Sequence, residues 1–173
     1  EQPAVNLIPL YQGRMIWQFD HKYEKPEYWL NIDAFDERQR SKELHRMAQD
    51  LGLKKAEAEQ HASAIRFDRE FVRLGFRDIA RDTDERTIIF SLLPKNVGAG
   101  NKVPVLIPKV YKRNDQETVG INVISDLRKI FALAIFNSLV FDWLARFMIQ
   151  ISVNLTYLYR LPTPQPASDV DIL

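Results

Sequence analysis

Leu74–Pro94 reads LGFRDIARDTDERTIIFSLLP, and the fold turns on how this stretch is read. An apolar run of β type enters it and another, Thr87–Pro94, leaves it. Between them Arg77, Arg81 and Arg86 alternate with Asp78, Asp82, Asp84 and Glu85. A plain surface turn bends on Gly, Asn or Pro and seldom carries three guanidinium groups. Arginine is the side chain best shaped to fork onto phosphate oxygens or a guanine edge, and a neighbouring acid can hold it in place or accept from cytosine. The ordinary alternative is a solvated hairpin whose charges neutralise one another.

Working outward, Ile65–Ile79 has strand character through Phe67, Phe71, Val72, Leu74 and Phe76. Lys95–Lys102 is a flexible loop, and Val103–Tyr111 is extended chain whose Pro104 and Pro108 suit an edge strand. Arg113–Val119 reads as a polar turn. From Ile124 the longest apolar element begins, with Ser125 or Asn122 as its cap, and apolar residues cover most of its circumference. That pattern predicts one long buried core helix. Ile151–Leu161 is expected as a final strand, ended by Pro162, Pro164 and Pro166.

Towards the N-terminus, Asn6–Gln12, the Gly13 turn and Arg14–Tyr23 predict two strands. In the second, Met15, Trp17, Phe19, His21 and Tyr23 form an aromatic face opposite a largely polar one. Tyr28–Leu30 is a short third piece. Residues 33–64 then change character: they are charged and rich in helix formers, with Asp33 or Asp36 as cap and a thin stripe of Leu44, Met47, Ala48 and Leu51. Gly52 divides this segment, which is expected to be a peripheral helical insertion of two helices. The expected class is α+β: twisted β-hairpins and a mixed sheet packed on one long buried helix, with a charged helical insertion. One domain, residues 1–166, holds the fold and 167–173 form a tail.

The 24 Lys and Arg nearly balance 23 Asp and Glu, so any attraction for a polyanion has to be a local field. There is no cysteine, which excludes disulfides, thiolate metal sites and a Cys nucleophile. His21, His45 and His61 lack metal-ligand spacing. The uncharged run Ile130–Phe141 is shorter than the about 20 residues a bilayer needs, so a soluble, cytoplasmic protein is expected, with no membrane partner. A chain opening at Glu1 without Met is expected to be part of a longer polypeptide.

Catalytic motifs fail one by one. The glycines of Val97–Asn101 precede Pro104 and a β-branched run, so no helix opens to face a cofactor phosphate. Asp20 and Lys22 resemble half of a metal-dependent nuclease signature but lack the second upstream acid on a paired strand. Ser138 and Ser152 have no glycine-flanked elbow. Asp142 and Arg146, one turn apart, fit a structural ion pair at a helix edge. No catalytic residue and no metal site is assigned.

Four stretches together carry a resemblance: Leu10–Tyr23 (LYQGRMIWQFDHKY), Leu74–Pro94, Asn101–Pro108 (NKVPVLIP), and Phe131–Ile149 with Asn154–Pro166 (FALAIFNSLVFDWLARFMI and NLTYLYRLPTPQP). In order and spacing they resemble the target-recognition region of type IIG restriction–modification enzymes and related N6-adenine DNA methyltransferases, phage-exclusion methylases included. The likeness covers nearly the whole chain apart from 33–64. The catalytic motifs of that family, a glycine-rich cofactor loop and an Asn-Pro-Pro-Tyr that grips a flipped adenine, do not occur here. The resemblance therefore implies double-stranded DNA as partner and an upstream methyltransferase domain in the same polypeptide. S-adenosylmethionine, and magnesium where a nuclease is present, would belong to that parent and not to this chain.

Carried onto this sequence, the resemblance makes Arg14, Gln18, His21 and Lys22 candidate DNA contacts. Arg77, Arg81, Thr83, Asp84 and Arg86 form a central set, and Asn154, Thr156 and Tyr157 a third. Asn137 is expected to fix the helix against a strand, and Trp17 and Phe19 to be core. Arg77 and Asp78 are either an internal pair or phosphate-facing. The competing reading is a protein-interaction module that docks through the helical insertion.

Overall fold

The computed structural model describes residues 6–114, 118–149 and 152–164. The chain is α+β. Strand β1 (Leu7–Tyr11) pairs antiparallel with β2 (Trp29–Asn31) and parallel with the two-residue β5 (Gly98–Ala99). Two antiparallel hairpins complete the sheet structure: β3 (Arg73–Phe76) with β4 (Phe90–Leu93), and β6 (Lys109–Arg113) with β7 (Val119–Val123). The helices are α1 (Ile32–Leu51), α2 (Lys55–Gln60), α3 (Asp126–Phe136), α4 (Leu139–Arg146) and the short α5 (Leu155–Leu158).

The main core forms where the β3–β4 hairpin meets α3 and α4. Leu74, Phe76, Ile88 and Phe90 bury against Leu133, Phe141, Ala145 and Ile149. An aromatic chain crosses it, Phe76 to Phe90 at 5.0 Å, Phe90 to Phe136 at 4.5 Å and Phe136 to Phe141 at 5.1 Å between ring centroids. Such offset pairs add to the area they bury. A second cluster, Tyr11, Met15, Ile16, Leu93, Val97 and Val103, ties the N-terminal sheet to the hairpin's other face.

Several expectations are corrected. The long helix is two helices. Asn137 leaves helical geometry at φ −90°, ψ 2°, and the Ser138 hydroxyl restarts the chain by accepting from the Phe141 amide. Nor is it buried all round, since Ile130, Leu139, Val140, Trp143 and Phe147 are exposed. Residues 14–23 do not form a strand: Gly13–Met15 is a 3-10 turn, and Met15 and Ile16 are buried together instead of on the opposite faces that the alternation predicts. Phe19, expected in the core, is 60% exposed with φ 66°. Of the strand expected over 151–161, Ile151 lies outside the described residues, Ser152 makes one isolated bridge to Ile79, and Leu155–Leu158 is instead α5, capped by the Asn154 side chain, which accepts from the Tyr157 amide. The turn expected over Arg113–Val119 is shorter by one residue at each end, since β6 runs through Arg113 and β7 starts at Val119.

The insertion is not peripheral. Asn31, rather than Asp33 or Asp36, caps α1, and Gly52 ends it in the left-handed region at φ 66°. One face of α1 delivers Glu43, 3% exposed, into a buried charge cluster. Lys109 Nζ donates to Glu43 Oε2 at 2.9 Å and to Asp68 Oδ1 at 2.7 Å. Arg46 Nη1 donates to the same Asp68 oxygen at 2.7 Å and to Glu43 Oε1 at 3.1 Å. The Tyr111 hydroxyl donates to Glu43 Oε2 at 3.0 Å. Two cations and two anions thus cancel inside the protein and rivet α1 to β6.

Burial alone would raise the Asp68 carboxyl, but hydrogen bonds from Arg46 and Lys109, and their charges, outweigh it and hold it below its usual value of 3.8. A depressed carboxyl contributes stability that is present above the unfolded-chain value and lost as pH falls through the folded one. Wild-type stability is therefore expected to drop as pH falls below about 4. An Asp68→Asn variant should be less stable at pH 7 and lose less over the same acid range; urea titrations at a series of pH values check this, and parallel curves would refute it.

Candidate nucleic-acid interface

The acid- and arginine-rich segment between β3 and β4 is held from beneath by one turn of α4. Asp142, 4% exposed, accepts from the backbone amides of Thr87 and Ile88, both at 2.8 Å, through Oδ1. Its Oδ2 receives Arg146 Nε and Nη2 at 3.0 Å. Arg146 then donates onward to the carbonyls of Asp84 and Glu85 at 2.9 Å, and to that of Asp82. The pair foreseen at the helix edge is present and does more, since it gathers three loop carbonyls and two loop amides. Asn137 continues the clamp, accepting from the Phe90 amide and donating to the Phe90 carbonyl, both at 2.9 Å.

Above this base the turn closes on itself. Asp84 Oδ2 accepts from the Arg81 amide at 2.8 Å, and the Asp84 amide donates to the Arg81 carbonyl at 3.2 Å. Thr87 Oγ1 donates to the same carbonyl at 3.0 Å. Arg81 and Thr83 stand exposed at the tip, and their side chains hydrogen-bond to none of the described residues.

Beside this turn lies a concavity of about 410 Å³ lined by Gln12, Gly13, Arg14, Arg77, Asn101 and Lys102 among others. The chain segments approach closely here: a Cβ on Gly13 would sit 3.2 Å from the Lys102 carbonyl oxygen, so glycine lets the first turn meet the loop before β6. Arg77 is half-buried. Its Nε donates to the Ile16 carbonyl at 2.9 Å and its guanidinium lies 4.8 Å from the centre of the Trp17 ring, itself stacked on Tyr23 at 5.5 Å. Desolvation lowers its pKa, opposed by Tyr23, Glu24 and Asp84. Lys102 pairs with Asp78 at 3.0 Å, which leaves no Arg77–Asp78 pair. Arg14 pairs with Glu24 and Glu27, all three partly exposed.

The structure brings Arg14 and Arg77 together in the concavity and presents Arg81, Thr83 and Asp84 on the adjoining turn. His21 is half-buried and Lys22 exposed; their side chains hydrogen-bond to none of the described residues. Besides Arg77 and Asp84, four more of the sequence candidates are engaged within the fold. Gln18 donates to the carbonyls of Ile88 and Asn137 at 3.2 and 3.4 Å. Arg86 turns towards Asp142, with Nη1 3.9 Å from Oδ2. Asn154 caps α5 and Tyr157 packs on the main core. Thr156 is exposed on α5. Sequence reading missed Lys102, Asn101 and Gln12, whose only signal was a place in segments otherwise read as loop and strand end.

Among the described residues no cluster of three or more His, Asp or Glu could hold a metal ion, and no helix is long and apolar enough to cross a membrane. Comparison with protein families, curated proteins and solved structures finds no match to this chain.

Proposed function

We propose that this chain recognises double-stranded DNA in a sequence-specific manner, as the specificity region of a restriction–modification N6-adenine methyltransferase whose catalytic motifs lie outside it. One observation carries the reading: Arg14, Arg77 and Lys102, from three segments distant in sequence, line one concavity with Gln12 and Asn101 beside the stapled arginine turn. Cations there would contact phosphates and set register, while amide and guanidinium groups would address base edges. A turn held by seven hydrogen bonds from Asp142 and Arg146 to its backbone and to each other would present Arg81 without first having to be ordered. The methyltransferase parent, with its S-adenosylmethionine, follows from the resemblance of the four sequence stretches.

Arg81→Ala is expected to weaken duplex binding by about 1–3 kcal/mol if Arg81 reads a base, with the loss confined to the cognate sequence. An equal loss on all sequences would mark a phosphate contact, and no loss would leave the turn a structural element. Fluorescence anisotropy with cognate and scrambled duplexes separates the three. A protein-docking reading is favoured by a different feature from the insertion: the exposed stripe of Leu139, Val140 and Trp143 on α4 with Phe147 at its C-cap. If a protein partner exists, that stripe and not α1 is the face it would cover.

A further inference from the structure

On the far side of the Gly100–Asn101 turn lies a second cavity, of about 370 Å³, between α1, the turn at 67–69 and the chain leading to β6. Its lining includes Lys42, Arg46, Asp68, Arg69 and Arg73. The acids around it already have cations. Glu43 and Asp68 are neutralised by Lys109 and Arg46, and Asp36 takes Arg69 through Nε at 2.7 Å. Two cations remain over. Arg73 is 3% exposed, and its Nη2 donates to the Val97 carbonyl at 2.6 Å, a neutral acceptor. Its Nε is buried with no hydrogen-bond partner. Burial pushes this guanidinium down to about 10. Lys42 stands exposed at the rim and pairs with no acid among the described residues.

A guanidinium removed from water keeps its proton, so an unpaired buried one calls for an anion. We infer that this cavity binds a small phosphate-bearing molecule, with Arg73 as the buried counter-charge and Lys42 closing over the anion from the rim. Two uncompensated cations match the near-dianionic charge of a phosphate better than the single charge of a carboxylate. A duplex backbone is too stiff and broad to reach a side chain buried to this degree, so a diffusible ligand is the source. The site does not depend on the DNA reading, because the two cavities share only the turn between them.

Thermal unfolding of this chain in about 20 mM sodium phosphate, against sodium chloride and sodium acetate at equal ionic strength, tests the inference. Phosphate is expected to raise Tm by roughly 2–6 °C, acetate by less than half as much. Arg73→Met should abolish the phosphate shift. Lys42→Ala, a rim substitution that leaves the core intact, should reduce it at least twofold even if the Arg73 variant folds poorly. Both variants should retain wild-type affinity for duplex DNA. An absent shift in the wild type, an equal shift with acetate, or a full shift in Lys42→Ala would overturn the inference. So would loss of duplex binding in Lys42→Ala without any phosphate shift, which would assign the cavity to the DNA backbone.

Discussion

Replacing Asp142 by alanine is expected to lower the unfolding free energy by about 3–5 kcal/mol. The carboxylate is the only described partner of the buried Thr87 and Ile88 amides, and it carries both nitrogens of Arg146 that face it. Its removal strands two amides in an apolar core and leaves Arg146, with Arg86 close by, without a counter-charge. Asp142→Asn should cost less, because an amide oxygen still accepts from the two backbone groups while the ion pair is lost. Urea denaturation reads both. A loss below about 1 kcal/mol for the alanine variant would mean that the loop finds other partners and that α4 does not staple it. Duplex affinity measured well below the unfolding transition should also fall in the alanine variant, since the Arg81–Arg86 turn would have to be ordered on binding.

The second large effect is expected at Lys109. Lys109→Met removes a cation that is 0% exposed and leaves Glu43 and Asp68 to share Arg46, at a cost of about 3–5 kcal/mol. The cluster is a unit, so costs within it are not additive. Glu43→Leu combined with Lys109→Met should be less destabilised than the sum of the single variants, because the pair is removed together. Additive losses would show that the two charges act independently and that α1 is fastened by its apolar residues Leu44, Met47 and Ala48 alone.

What sequence reveals here follows a physical divide. The α+β class, the β3–β4 hairpin around the arginine tract, the Gly52 break and the Ser125 cap were legible, because each is a local pattern. Asn137 was legible too, as a polar residue in an apolar run that has to find backbone partners. The break in the long helix at the same residue was not, since it depends on where the Phe90 backbone lies. Residues 14–23 alternate like a strand, yet packing takes Met15 and Ile16 inward together, and a tertiary demand overrode the local period. The cleft was half legible. Arg14 and Arg77 were candidates on type and resemblance, whereas Lys102 belongs to it through a loop-to-loop approach that Gly13 permits. Gln18 and Arg86 look like readers by residue type, but the fold gives their polar atoms internal neighbours.

The most direct measurement is the affinity of this chain for duplex DNA across a salt series, for the wild type and for Arg14→Ala combined with Lys102→Ala. A cleft whose Arg14 and Lys102 exchange their carboxylate partners for phosphates should give a linear fall of log affinity with log salt, with a slope of about −2 to −4 in the wild type. The double variant should reduce that slope by about 2. No measurable duplex binding, or a slope that the double variant leaves unchanged, would contradict the assignment of the cleft to DNA.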